Sequence, residues 1–369
     1  LKSKTMTKII NIQTVDSPAL VVFPDRVQRN IDRAMAMVGD IGRLRPHIKT
    51  HKSADVVRLM LLAGITQFKC ATIAEAEMLG QCGAPDVVLA YQVIGPKLQR
   101  FIDLIKKYPQ THYACLTDNI GAAQEQAAAF EAVGLDMPVY MDLNLGMNRT
   151  GIMPDDRAVA LFTFCQNLKG LHIVGLHAYD GHLRHPDLAL RKTACDEIFE
   201  TVWALKAKLE GGQDLKIIAG GSPTFPIHAQ RAGVICSPGT FIYWDKGYGS
   251  ICPEQPFEWA AYLVTRVISL PDDTKLCLDL GHKSVAAENS LDNRVYFPDA
   301  PELKPISQSE EHLVVEAELG HTYQVGDILY GVPYHICPTV ALFERVLTVE
   351  NDKVSGYWYN SARDRKLTV

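Results

Sequence analysis

The sequence predicts an α/β protein, with a (β/α)8 TIM-type barrel over residues 18–255 and an antiparallel β domain over residues 256–369 that also takes in residues 6–17. Two observations predict it. From about residue 20 to 245, short β-rich runs alternate with segments of helical period, the pattern of βα units around a parallel sheet. Beyond residue 260 the texture changes to short β-rich runs divided by Gly, Pro and Asp turns.

Eight strand candidates stand in order: Leu44–Lys49, Thr66–Ala71, Asp86–Tyr91, Thr111–Leu116, Pro138–Leu143, Leu171–Ala178, Leu215–Ala219 and Val234–Ser237. Between and around them lie helix candidates at Asp25–Val38, Ser53–Ala63, Ala74–Cys82, Pro96–Lys107, Asn119–Val133 and Leu188–Leu209. Several open on a capping residue or Pro, and three close on Gly64, Gly83 and Gly134. Eight parallel strands with interleaved helices close naturally into a barrel, which puts its chemistry at the C-terminal ends of the strands. An open doubly wound sheet is the alternative. In the β domain the runs are Ala261–Leu270, Lys275–Leu280, His312–Leu319 and Lys353–Trp358, with no internal repeat and no low-complexity linker.

Composition narrows the class. With 37 basic and 42 acidic residues the formal charge is −5, and no Lys/Arg block points to nucleic acid or a membrane surface. No apolar run approaches the roughly 20 residues of a membrane span, and the polar stretch Leu1–Lys8 lacks the apolar core of a signal peptide. The nine cysteines are scattered without a CxxC pair, as expected for reduced thiols in a cytoplasmic protein.

The segment Arg45-Pro-His47-Ile-Lys49-Thr-His51-Lys52 ends the first strand candidate with two Lys, two His and one Arg. A solvated loop has such a composition too. Yet like charges this crowded repel unless an anion or a desolvated site engages them. A lysine beside another positive charge also has a lowered pKa, and the neutral amine is the form that makes a Schiff base. Three later strand ends add polar groups: Asp142–Gly151, with Arg149; His177–His185, with Tyr179, His182 and His185; and Gly220-Gly221-Ser222-Pro-Thr224. Glycines beside hydroxyls suit a phosphate, as does Pro238-Gly239-Thr240 with Tyr243 just after it, although each could be a plain tight turn. There is no GxxxxGK[ST] loop and no GxGxxG after the first strand, which disfavours a nucleotide fold. Last, Pro333-Tyr-His335-Ile-Cys337-Pro-Thr339 places an imidazole and a thiol two residues apart. In extended chain the two point to one side and suit a zinc-like ion, while a core His beside a buried Cys is the plain structural reading.

Together these motifs resemble the D-threonine aldolase/D-serine dehydratase family of fold-type III, alanine-racemase-like enzymes that use pyridoxal 5′-phosphate (PLP). The resemblance runs from Asp16-Ser-Pro-Ala-Leu20 to Cys337 and rests on RPHIKTHK, GMNRTG at Gly146–Gly151, AYDGH at Ala178–His182, GGSPT and the Pro333–Thr339 run. It implies that Lys49 is the Schiff-base lysine and His47 a cofactor neighbour, with Arg149 near the pyridine nitrogen and Tyr179 lining the pocket. It implies that Gly221, Ser222, Gly239, Thr240 and Tyr243 hold the phosphate, and that His335 and Cys337 bind a divalent metal, zinc or else manganese. A homodimer is expected. An arginine at the pyridine nitrogen disfavours protonation there and weakens the ring as an electron sink. A metal acting on the substrate's β-hydroxyl then compensates as a Lewis acid.

The expected activity is therefore that of a lyase on a small D-amino acid with a β-hydroxyl. The reading leans to dehydration of D-serine or D-threo-3-hydroxyaspartate to a keto acid and ammonia, because dehydratases of the family resemble this chain in pairing His with Cys. The alternative is retro-aldol cleavage to glycine and an aldehyde, with His182 or His185 as base. Racemisation and a non-catalytic PLP carrier are the lesser readings.

Overall fold

The computed structural model describes residues 9–369. Leu1–Lys8, and with them positions 6–8 of the segment assigned to the β domain, lie outside the described residues. The chain divides into two compact units.

The barrel unit comprises residues 34–49, 56–239 and 364–369, and the β unit comprises the residues through Arg33 together with 50–55 and 240–363. The first strand, β1 (Ala19–Val22), belongs to the β unit. The barrel unit carries seven parallel strands in sequence order: β2 (Gln67–Cys70), β3 (Asp86–Gln92), β4 (His112–Thr117), β5 (Met137–Asp142), β6 (Leu171–Ala178), β7 (Lys216–Ala219) and β8 (Val234–Cys236).

The eighth strand expected at Leu44–Lys49 is reduced to two bridges, Leu44 to Cys236 and His47 to Lys69. The reason is local. Pro46 has no N–H to donate, so the segment pairs through Arg45 N–H to Cys236 O and His47 N–H to Pro238 O on one side, and through Lys69 N–H to Pro46 O on the other. It then turns into a single 3-10 turn, Ile48–Thr50. These contacts nonetheless join β8 to β2 and close the curled sheet. Val88, Ala114, Leu116, Tyr140 and Ile218 fill its interior, with Ala90, Val174 and Ile235 against them. Barrel strands are buried on both faces and so read as apolar runs.

Helices Ile73–Gln81, Pro96–Lys107, Ile120–Glu131 and Leu188–Lys208 match their expected positions to within a few residues. Asp156–Gln166 and Phe225–Ala229 were not anticipated. Side chains cap the starts: Thr72 accepts from Glu75 N–H, Asn119 from Gly121 and Ala122, and Asp187 from Leu190. Gly83 and Gly134 close two helices at φ +72°, a conformation that suits glycine at such ends.

The β unit is a nine-stranded mixed sheet of β1 with β9 (Ala261–Asp272), β10 (Lys275–Leu278), β11 (Val295–Tyr296), β12 (Lys304–Gln308), β13 (Leu313–Glu316), β14 (Ile328–Pro333), β15 (Arg345–Glu350) and β16 (Lys353–Tyr359). β1 runs antiparallel to β9 and parallel to β15, and every other pairing is antiparallel. Ile9, Ile12, Val15, Val21, Phe23, Tyr262, Val264, Val332 and Val349 form its core.

The domain limits therefore differ from those expected, since β1 leaves the barrel and the break falls at 239/240 rather than 255/256. Hydrogen bonds explain the shift. Ala260 N–H donates to Tyr243 O, Gly247 N–H to Tyr334 O and Asn30 Nδ2 to Ile242 O, so residues 240–255 are tied to the β unit. Thr368 and Val369 instead donate their N–H groups to Glu77, which ties the last residues to the barrel unit.

Candidate active site

In the barrel unit, polar side chains gather at the C-terminal ends of the strands. Lys49 follows the bridging segment, and its N–H donates to His47 Nδ1 at 3.2 Å. Asp142 ends β5 and is paired in register with His177 of β6. Its Oδ1 lies 2.7 Å from His177 Nδ1. The carboxylate fixes a proton on Nδ1 and leaves Nε2 as an acceptor, 3.4 Å from the Lys69 amine.

Lys69 sits on β2 in register with Val88, and Val88 packs in the barrel interior, so the lysine is inward-facing and buried. Burial first, then the neighbouring charge of Lys49, pushes its pKa down to about 7, against the pull of Asp142 and Asp180. Burial and Lys69 likewise lower the pKa of His177. The guanidinium of Arg149 stands 5.2 Å from the Tyr179 ring centre, and the Lys69 amine 5.8 Å from it. Gly221 adjoins the same ring: a Cβ there would meet Tyr179 at 3.1 Å. Ser222 and Gly239 are buried at the ends of β7 and β8.

The two candidate bases separate. His182 packs on Gly146, and its Nδ1 is buried without a partner among the described residues. His185 is exposed, and its Nδ1 accepts from Asp187 N–H at the start of helix Leu188–Lys208.

Arg45 leaves the cluster altogether. It is fully buried at the opposite end of the strands, paired with Asp86 at 2.6 and 2.9 Å and with Gln67 at 2.6 Å. The cationic crowding at Lys49 therefore comes in part from Lys69, one strand over, and not from the RPHIKTHK run alone.

A second buried cluster, Asp180, Cys195 and His228, brings three possible metal ligands within 4.8 Å. Each is already engaged by protein. Thr224 donates to Asp180 at 2.7 Å, His228 Nε2 reaches Asp180 at 2.7 Å, and Arg231 lies 2.7 Å from His228 Nδ1 and 3.4 Å from Cys195. An arginine so placed opposes a cation, and the cluster ties helices Leu188–Lys208 and Phe225–Ala229 to the end of β6.

In the β unit, Thr240 and Tyr243 are buried, and the Tyr243 hydroxyl has no partner among the described residues. His335 and Cys337 do converge, but not on an extended strand. His335 is the N-cap of helix Ile336–Leu342, with φ −136°, and Cys337 lies in its first turn. Pro338 accounts for the difference, because proline is well tolerated in a first helical turn. Glu288 Oε1 sits 2.5 Å from His335 Nδ1, and Thr50 Oγ1 lies 3.0 Å from Cys337 Sγ. Burial lowers the proton affinity of His335, but Cys337, Glu288 and Asp245 outweigh it and raise the pKa to about 9.

Residues 22–246 match the family model of the alanine racemase N-terminal domain, and residues 260–349 match that of a serine dehydratase domain. The chain belongs to this alanine-racemase-like, fold-type III family of PLP enzymes. It is 27% identical to D-threonine aldolase of Arthrobacter sp., over 95% of this chain and 93% of that one. It is 28% identical to D-threo-3-hydroxyaspartate dehydratase of Delftia sp. (strain HT23), over 94% and 97%. The crystal structure of D-threonine aldolase from Filomicrobium marinum superposes with a TM-score of 0.87 at 26% identity, covering 95% of this chain and 96% of that one.

The residues present fit the family's cofactor. The barrel offers a lysine for its aldehyde, an arginine, and glycine and serine turns for its phosphate. The donor set at His335 also fits a metal: nitrogen and sulfur ligands, with a carboxylate orienting the imidazole through its other nitrogen. Lys69 and Glu288 were not anticipated. A lysine inside an apolar β-run was a readable signal for the first. No sequence signal marks the second, which only the fold brings to His335.

Proposed function

We propose that the protein is a PLP- and divalent-metal-dependent lyase of D-β-hydroxy-α-amino acids, dehydrating D-serine or D-threo-3-hydroxyaspartate to a 2-keto acid and ammonia. Lys49, Arg149, Tyr179, Ser222 and the Gly221 and Gly239 turns hold the cofactor, and His335 and Cys337 hold the metal, zinc or else manganese. When bound, PLP withdraws electrons from Cα and the metal acts as a Lewis acid on the β-hydroxyl. Lys49 Nζ takes the Cα proton.

The observation that carries this reading is the His335–Cys337 pair with Glu288 on the imidazole. Thiolate and imidazole select zinc-like ions, and a metal at a β-hydroxyl has work to do in elimination but none in racemisation. The aldolase relatives favour a second reading, retro-aldol cleavage with His182 taking the hydroxyl proton. His182 suits that role better than His185, whose Nδ1 is engaged at a helix start. None of the nine cysteines forms a disulfide among the described residues, which supports a reducing, cytoplasmic setting, and a homodimer is the expected assembly.

The test is incubation with D-serine, D-threonine and D-threo-3-hydroxyaspartate, with and without chelator. Keto acid and ammonia that vanish on chelation are expected. Glycine with an aldehyde would establish the aldolase reading, and no turnover of any of the three would overturn both.

A further inference from the structure

Lys69 is buried on the inward face of β2, where the neighbouring interior positions of β3 are Val88 and Ala90. An ammonium has three donors. Among the described residues this one has a single hydrogen-bond partner, His177 Nε2, at a long 3.4 Å. The nearby carboxylates are committed elsewhere, Asp142 to His177 and Asp180 to Thr224 and His228. Burying donors without acceptors is costly, and the cost is recovered when a ligand supplies them. The surroundings favour an anion. Lys49 adds positive charge beside Lys69, and Arg149 shares with it the neighbourhood of the Tyr179 ring.

Resting on the functional reading above, we propose that Lys69, positioned by the Asp142–His177 pair, is a ligand-binding cation that donates to an anionic oxygen in the barrel. That oxygen belongs either to the ring of PLP or to the carboxylate of the amino acid. His177 accepts one Lys69 proton and so aims the remaining donors. The charge on Lys69 is labile near neutrality, held down by burial and Lys49 and supported by Asp142 and Asp180. An anion bound to it therefore favours protonation, and affinity falls as pH rises past 7.

The experiment compares wild type, Lys69→Met and Lys69→Arg. Apoprotein is titrated with PLP by absorbance, and KM for D-serine and D-threonine is measured at saturating PLP. A contact to the cofactor raises the PLP Kd of Lys69→Met by about tenfold or more, the worth of one charge-assisted hydrogen bond, and leaves KM unchanged. A contact to the substrate carboxylate does the reverse. Lys69→Arg, which keeps the charge, recovers most of either loss. A Lys69→Met protein with an unchanged melt and wild-type values of both constants overturns the proposal. Should that variant not fold, the wild type decides: one of the two affinities weakens severalfold between about pH 6.5 and 8.5, and a flat profile in both overturns the proposal. Wild type that takes up no PLP refutes the functional reading itself, a result distinct from equal constants in wild type and variant.

Discussion

Glu288 Oε1 lies 2.5 Å from Nδ1 of His335, two residues before Cys337. A carboxylate on one imidazole nitrogen fixes the tautomer and turns the other nitrogen outward as a ligand. Removing such a partner typically lowers metal affinity by about 10- to 100-fold. Glu288→Gln is expected to show that loss in a competition titration of zinc against a chromophoric chelator. PLP uptake should stay at its wild-type level, because Glu288 acts only on the metal. Unchanged zinc affinity would leave Glu288 a surface ion pair.

Lys49 should carry the cofactor. Borohydride treatment of the purified holoenzyme is expected to bleach its colour and label one peptide, at Lys49. Lys69 makes this a sharper question than the sequence posed, since a second buried lysine in the barrel unit has its pKa pushed down to about 7. Mass spectrometry that finds the label on Lys69 or Lys52 would reassign the site.

Cys337 gives the third expectation. Cys337→Ala should behave as chelated wild type, retaining PLP and losing turnover until high metal is added. Cys337→Asp should shift the preference from zinc towards manganese or magnesium, because a carboxylate is a harder ligand than a thiolate. Full activity of Cys337→Ala without added metal would make the pair structural.

Much of this was legible in the chain. The alternation from residue 20 to 245 announced the barrel because buried parallel strands and amphipathic helices have different periods. The residues proposed for the site, Lys49, Arg149, the glycine turns and the His335–Cys337 pair, all stand in short contiguous motifs. What was hidden depends on contacts between distant residues. Arg45 reads as one more cation beside Lys49, yet Asp86 draws it to the other end of the strands. Glu288 reaches His335 across 47 positions. The 3-10 turn Thr240–Ile242 follows the last barrel strand in sequence, yet bonds to the β unit through Asn30. The His335–Cys337 segment read as extended chain, and instead Cys337 and Pro338 sit in a helix's first turn.

Arg45 and Asp86 give a stability expectation. The guanidinium has no exposed surface, and Asp86 supplies two of its hydrogen bonds. Removing one partner of a buried pair leaves a charge without compensation and typically costs about 3–5 kcal/mol. Asp86→Ala should lose toward the lower end of that range, since Asp86 is itself partly exposed and Gln67 and the Phe68 carbonyl still engage the arginine. Thermal or urea unfolding measures it, and a loss under about 0.5 kcal/mol, the range of ordinary surface changes, would deny the pair its structural role.

Glu258 sets an acid limit on the β unit. Burial alone would raise the pKa of its carboxyl, but hydrogen bonds from Arg29, at 3.0 Å, and Arg33, at 2.6 Å, outweigh burial and hold it at about 2. In the unfolded chain the same group titrates near its ordinary value of about 4.3. A carboxyl whose folded pKa is the lower of the two binds more protons when unfolded, so its contribution is complete above about pH 4.5 and is lost as pH falls toward 2. The shift corresponds to about 3 kcal/mol by linkage, reduced to about 2 because Arg29 is half-exposed and screened by solvent. Glu258→Gln should thus be less stable than wild type by about that amount at pH 7, and the difference should shrink below about pH 4.5 and close as the pH falls through about 2. Unfolding curves of both proteins across that range test it. A difference that persists at low pH would mean that Glu258 stabilises by packing and not by its charge.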